Sequence, residues 1–247
     1  MSVHLRRVVG APASRPSDGD AYPETRVGTW FISSWVWAEY VVRETMADLV
    51  RLLGPDRGAR SSVILDVGCG VGCALPMLDE AFAPAVLLAR DLDVALVRQA
   101  ARDAAPRCRC PVDLAVVSAD RLDLRDESVD MVLCHQTLHH VGDPRSVTRE
   151  LYRVLRPGRP LLVAESCAPL TCSRRVRLLF RHALHLQRRA GEWVGLVRGT
   201  GFVVDSGRIN TPYPWWSRPD FGLRELLGRQ GPPPRDPMIV HFVAFKP

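Results

Sequence analysis

The stretch Val63-Ile-Leu-Asp66-Val-Gly68-Cys-Gly70-Val-Gly72-Cys-Ala-Leu75 decides how the chain is read. An apolar run broken only by an acid, then glycines at every second position, then apolar residues at helical spacing describe a buried strand, a tight turn and a helix. Glycines suit such a turn because a bound ligand approaches the main chain closely, and because a strand passing straight into a helix needs backbone angles that a Cβ disfavours. The following helix presents unpaired N–H groups and the positive end of its dipole, which favour an anionic group. The segment is therefore a nucleotide-type loop.

Its spacing separates the ligands such loops take. A dinucleotide fingerprint, G-x-G-x-x-G, would place its third glycine on Cys73 and fails. A phosphate-binding G-x-x-x-x-G-K-[ST] fails as well, because Lys246 is the only lysine in the chain. What remains is D-x-G-x-G-x-G. This resembles motif I of the class I S-adenosylmethionine (SAM)-dependent methyltransferases. The phrases Ser128-Val-Asp130 before an apolar strand, Leu138-His-His-Val141 after it, and Arg153-Val-Leu-Arg-Pro-Gly158 resemble the branch that includes the ubiquinone and menaquinone biosynthesis enzymes. The resemblance runs from about Val63 to Glu165 and resumes near Trp193.

It implies a set of roles. Gly68, Cys69 and Gly70 would cradle the methionine end of SAM, with Asp66 ordering the loop and the ligand's amino group. Asp91, closing the second strand, would accept from the ribose hydroxyls, with Leu92 against the adenine face; Asp93 is the better candidate for capping the next helix. Asp120 would accept from the adenine amino group, although Arg121 beside it matches the usual small residue poorly. Ala89-Arg90 also departs from the family, which has a small residue and then an apolar one there. Cys134 and His135 end the fourth strand and would face the methyl donor. His135 and His140 are the candidate catalytic bases, since an imidazole near neutral pKa can take a proton from a hydroxyl or amine. Substrate-pocket candidates are Trp30, Trp35, His139 and Trp215.

Outward from the loop, apolar runs at Ala85–Asp91, Val112–Val117, Ser128–Cys134 and Arg159–Glu165 alternate with helical patterns at Val94–Ala104 and Pro144–Leu155. This predicts an α/β fold: a Rossmann-like, mostly parallel seven-stranded sheet with helices on both faces. Strands at Phe202–Ile209 and Met238–Phe245 resemble the closing hairpin of the methyltransferase sheet, and the resemblance implies that the last strand is antiparallel. An extra helix is expected near the N-terminus and a helical insertion, Leu170–Ala190, before strand six. Residues 1–25 read as a tail and 26–247 as one domain, with cover segments near 26–54, 168–190 and 211–236.

With 47% hydrophobic residues in 247, the chain can build a sizeable core. The net charge of +6 is carried almost wholly by arginine, and no stable nucleic-acid partner is expected from it. The arginines of 174–189 form either a solvated face or a contact with an anionic membrane surface. No run of about 18 apolar residues or signal-peptide pattern occurs. Seven cysteines without C-x₂-C pairs imply reduced thiols, no metal site and a cytoplasmic compartment. The function implied is methyl transfer from SAM to a small, apolar or aromatic acceptor. RNA or protein methylation is the enzymatic alternative, and a non-catalytic binding or scaffold protein the other.

Overall fold

The computed structural model describes residues 25–54, 62–179, 187–218 and 236–247. The expected tail apart from Thr25, residues 180–186 of the arginine-rich stretch, and residues 219–235 of the last cover segment lie outside the described residues.

Seven strands form one sheet: β1 Val63–Val67, β2 Val86–Asp91, β3 Val112–Val116, β4 Met131–His135, β5 Pro160–Ser166, β6 Ile209–Asn210 and β7 Ile239–Phe245. Their order is β3-β2-β1-β4-β5-β7-β6. The first five are parallel, and β7 runs antiparallel to β5 from Pro160↔Phe245 to Ser166↔Ile239. This is the Rossmann-like sheet that the alternating pattern predicts. From β1 the chain builds β2 and β3 on one side, and β4 and β5 on the other, so the carboxyl ends of β1 and β4 flank a crevice.

The helices are α1 Arg26–Ile32, α2 Trp35–Trp37, α3 Glu44–Leu53, α4 Leu75–Phe82, α5 Val94–Asp103, α6 Pro144–Val154, α7 Ala168–Thr171, α8 Arg174–Leu179 and α9 Ala190–Arg198. They cover both sheet faces. One core joins Val147, Leu151 and Val154 of α6 to Trp193 and Val197 of α9, and the other joins α3, α4 and α5. In α3, Leu49 and Leu53 are four residues apart, share one face and are fully buried. Each such side chain contributes about 1.5–3 kcal/mol through apolar burial. Truncation of Leu49 to Ala would cost about 2–5 kcal/mol.

The expected N-terminal helix is broken. Ser33 ends α1, and Ser34 restarts the chain by accepting from the Trp37 N–H at 3.2 Å. A π-helical turn, Ala38–Arg43, then leads into α3. The strand expected at Phe202–Ile209 is reduced to Ile209–Asn210, preceded by a lone Val203–Phe245 bridge. The cause is local: the Asp205 carboxylate accepts the Gly207 N–H at 2.8 Å and turns the chain.

Candidate functional site

The glycine loop is held by its neighbours. The Gly68 and Cys69 N–H groups donate to the Arg90 carbonyl at 2.8 and 3.1 Å, and the Gly70 N–H donates to Asp91 Oδ2 at 2.8 Å. Gly68 and Gly70 have φ of +68° and +53°. A Cβ on Gly68 would lie 2.2 Å from Thr137 Oγ1, whereas one on Gly70 meets nothing within 4 Å. Gly68 is therefore required by packing, and the space beside Gly70 belongs to the crevice.

Two acids occupy the strand tips. Asp66 is 2% exposed, and its Oδ2 is buried without a hydrogen-bond partner. Burial pushes its pKa up to about 8, with the Asp91 charge adding to the effect. Asp91 accepts from the Asp93 N–H at 2.9 Å as well as from Gly70, leaving lone pairs on both oxygens. Burial raises its pKa, opposed by those backbone donors. Helix capping falls to Asp93, whose Oδ1 accepts from Ala95 and Leu96 at the start of α5.

The crevice opens into a cavity of about 870 Å³, within the range of small-molecule sites. Asp66, Gly68, Cys69, Gly70, Asp91 and Leu92 line it, as do His135, His139, His140, Trp30 and Trp215. Its remaining wall is largely apolar, with Phe31, Val36, Trp37, Tyr40, Leu170 and Val176 among the contributors. The structure places four expected residues elsewhere. Asp120 is exposed, and its carboxylate accepts from Ser118 Oγ at 2.5 Å; Arg121 is exposed beside it. Cys134 is fully buried in the core, because successive strand residues point to opposite faces and His135 takes the cavity side. Trp35 is 68% exposed and stands outside the lining, tilted against Tyr40 at 5.9 Å between ring centroids.

His135 Nε2 is also buried without a partner. Burial lowers the His135 pKa to about 3, with His241 and His139 adding to the shift, so this ring is neutral at working pH. His139 differs: its Nδ1 is 2.6 Å from Glu165 Oε2, and the two rings His139 and His140 lie 4.1 Å apart. Glu165 Oε1 accepts from the Thr137 and Leu138 N–H groups at 2.9 and 2.7 Å. Burial nevertheless pushes Glu165 up to about 8.

Sequence reasoning missed Glu165, Gln136 and Thr137. Glu165 carried one signal, an acid near the end of an otherwise apolar strand. Gln136 adopts φ +54°, a conformation that costs a non-glycine residue roughly 1–3 kcal/mol. Its Oε1 accepts from the Ser166 N–H and Oγ at 3.2 and 2.6 Å, which fixes β4 to β5 at the cavity floor. Thr137 Oγ1 donates to the Val67 carbonyl at 3.1 Å and so ties β4 to β1.

Comparison with known proteins agrees with this layout. The methyltransferase domain family matches residues 65–163. A malonyl-[acyl-carrier protein] O-methyltransferase of Marinomonas is 32% identical over 72% of this chain and 66% of its own length. Phosphoethanolamine N-methyltransferase 3 of Arabidopsis thaliana is 28% identical over 50% of this chain and 24% of its own length. The chain thus spans less than two thirds of either relative. Among solved structures, a Haemonchus contortus phosphoethanolamine N-methyltransferase 2, in complex with phosphomonomethylethanolamine and S-adenosylhomocysteine, superposes with a TM-score of 0.64 at 17% identity. It covers 90% of this chain and 56% of its own.

The residues present fit an adenosyl sulfonium. The unsatisfied Asp66 carboxylate suits an ammonium group, the spare lone pairs of Asp91 suit a diol, and the open space beside Gly70 admits a ligand against the main chain. Domain match, fold and the chemistry of the strand tips agree: residues 65–163 are a methyltransferase domain, the fold is that of SAM-dependent methyltransferases, and the site fits S-adenosylmethionine as cofactor.

Proposed function

We propose that this chain transfers the methyl group of SAM to a small, apolar or aromatic acceptor bearing a hydroxyl or amine, with release of S-adenosylhomocysteine. The observation that carries the reading is the joining, in one cavity, of the unsatisfied Asp66 carboxylate to a wall rich in Trp, Tyr, Phe and Val. Bound SAM supplies an electrophilic methyl group on a sulfonium. Gly68, Gly70, Asp66 and Asp91 hold and orient that donor, and Leu92 covers the adenine. The aromatic wall excludes water and positions the acceptor, which is where most of the rate comes from in such a transfer.

Among the described lining residues the acids Asp66, Asp91 and Asp93 are joined by one basic side chain of unambiguous charge, Arg90, whose guanidinium is already engaged by Asp113 and Asp123. This favours a neutral acceptor over an anionic one. His135, with its lowered pKa, serves as a neutral hydrogen-bond acceptor that orients the substrate. The Glu165–His139 pair is the better placed proton acceptor, because Glu165 Oε2 fixes Nδ1 of a ring that lines the cavity. With burial holding Glu165 up at about 8, the carboxylate that would stabilise an imidazolium forms as pH rises through that value. His140, its ring tilted against that of His139 at 4.1 Å between centroids, shapes the same surface.

Among the described residues no helix is long and apolar enough to cross a membrane. Peripheral contact is supported by the exposed Arg174 and Arg177, which flank the cavity residue Val176, and by the exposed rings of Trp30, Trp35 and Trp215. Co-sedimentation with anionic and with neutral vesicles tests this: binding to neither returns these arginines to a solvated face.

The decisive experiment titrates the protein with S-adenosylhomocysteine by calorimetry, then incubates it with methyl-labelled SAM and a panel of phenols, quinols and aromatic amines. Saturable binding and label in an organic-extractable product are expected. No binding removes the reading altogether, and label on phosphoethanolamine or an acyl-carrier protein alone overturns the acceptor class.

A further inference from the structure

Arg90 stands next to the last residue of β2, where the family resemblance implies an apolar side chain, and it is 2% exposed. A guanidinium in that position is expensive to bury unless its donors are used. Here Nε donates to Asp123 Oδ1 at 2.7 Å and Nη2 to Asp113 Oδ2 at 2.9 Å. Nη1 donates to the carbonyls of Asp113 and Ala89 at 2.8 and 3.1 Å. The Arg90 carbonyl, in turn, receives the Gly68 and Cys69 N–H groups.

One residue therefore joins four pieces of chain: the glycine loop after β1, β2 itself, β3 through Asp113, and the loop after β3 through Asp123. That last loop includes Val117, Ser118 and Ala119, which line the cavity together with Leu92. An apolar side chain of similar volume would fill the same space with no charge to desolvate. What the guanidinium adds is a rigid fork of donors that sets two carboxylates and two carbonyls in one arrangement. Asp123 reaches it from the surface, its side chain 48% exposed.

We propose that Arg90 is a positioning residue for the cofactor. Through Asp123 it fixes the 117–119 wall relative to the glycine loop, and the affinity for the adenosine half of SAM depends on that link. The inference rests on the cofactor assignment, which the parent chain's own affinity for S-adenosylhomocysteine tests separately.

The test compares Asp123→Ala, Arg90→Met and Arg90→Lys with the parent, using calorimetric titration with S-adenosylhomocysteine and with 5′-methylthioadenosine, alongside thermal melting of the ligand-free proteins. Asp123→Ala removes a half-exposed carboxylate and leaves Arg90 its bonds to Asp113 and Ala89, so it disturbs the fold less than Arg90→Met and guards against a chain that melts early. Expected are a loss of affinity of roughly 3- to 30-fold in Asp123→Ala, the same factor for both ligands, measured well below a ligand-free melting temperature that falls less than in Arg90→Met, and partial recovery in Arg90→Lys relative to Arg90→Met. Parental affinity in Asp123→Ala overturns the proposal, even where Arg90→Met binds weakly, because a fold defect then explains the latter. A loss seen only with S-adenosylhomocysteine also overturns it, since the effect would lie at the methionine end. If the parent itself binds neither ligand, the cofactor assignment has failed instead.

Discussion

Asp66 shows how a carboxylate kept away from partners becomes a ligand sensor. Its raised pKa means that the ligand-free protein carries it protonated at neutral pH. With a folded value of about 8 and an unfolded one near 4, the native state binds more protons between those limits. Ligand-free stability therefore falls as pH rises through that window. A bound ammonium group reverses the preference and expels the proton. At pH 7, S-adenosylhomocysteine binding should release close to one proton, visible as a dependence of the calorimetric heat on buffer ionisation enthalpy, and the release should fade above pH 9. Asp66→Asn should abolish it and weaken binding about 10- to 100-fold, the worth of a charge-assisted hydrogen bond; undiminished release in that variant would place the proton elsewhere. Glu165 makes the corresponding case for the acceptor side. Glu165→Gln keeps an oxygen for the Thr137 and Leu138 N–H groups but offers His139 no carboxylate at pH 9, above the value of about 8 to which burial raises Glu165, so the two chains are compared there. Turnover with an accepted substrate should fall about 10²- to 10⁴-fold, while S-adenosylhomocysteine affinity stays within about twofold; an equal loss of both would make Glu165 a structural residue only.

At the scale of elements, the β1 turn separates two uses of glycine. Gly68→Ala drives a Cβ into Thr137 and should lower the melting temperature sharply, because Thr137 is pinned by bonds to the Val67 carbonyl and to Glu165. Gly70→Ala meets open space and carries only the left-handed penalty of roughly 1 kcal/mol. Its melting temperature should move by a few degrees, yet S-adenosylhomocysteine binding should be lost, because the new methyl stands in the crevice. Parental binding by Gly70→Ala would show that the ligand does not approach this part of the main chain. The same turn marks how far the sequence could be read. The strands β1 to β5, the order of the acids Asp66 and Asp91, and the capping role of Asp93 follow from local patterns that tertiary packing did not overrule. Asp120 and Cys134 could not be placed that way. Successive strand residues face opposite sides, so only one of Cys134 and His135 can present its side chain to the cavity, and β4, buried on both faces, carries no local mark of which. Asp120 depends on a loop whose course is set from outside, by Arg90 and Asp123. Glu165 was hidden because its partner His139 lies 26 residues away on a different strand's loop.

For the whole molecule, the question is how the aromatic cover stays attached to the sheet. Trp37, Tyr40 and Val42 line the cavity from the segment that runs into α3, so the site is only as stable as the docking of that helix. Besides Leu49 and Leu53, two polar clasps fix it to the far edge of the sheet. Arg208 donates to the carbonyls of Leu52 and Leu53 at 3.0 and 2.7 Å while lying over the Phe245 ring. Asp48 accepts from His241 Nδ1 on β7 and from Asn210 Nδ2 on β6, each at 2.8 Å, and pairs with Arg51. Burial pushes the Asp48 carboxyl upward, but those three partners outweigh it and hold the pKa down at about 2. A depressed folded value means stability that is complete above pH 4 and lost as pH falls towards 2. Asp48→Asn should thus be less stable than the parent by about 1–2 kcal/mol at pH 6, with the difference shrinking through the interval from pH 4 to pH 2. Denaturant unfolding followed by tryptophan fluorescence at a series of pH values reads this directly. If the difference between the two chains is the same at pH 6 and pH 2.5, the charge of Asp48 does not hold the cover in place, and the attachment rests on the apolar face of α3 and on Arg208 alone.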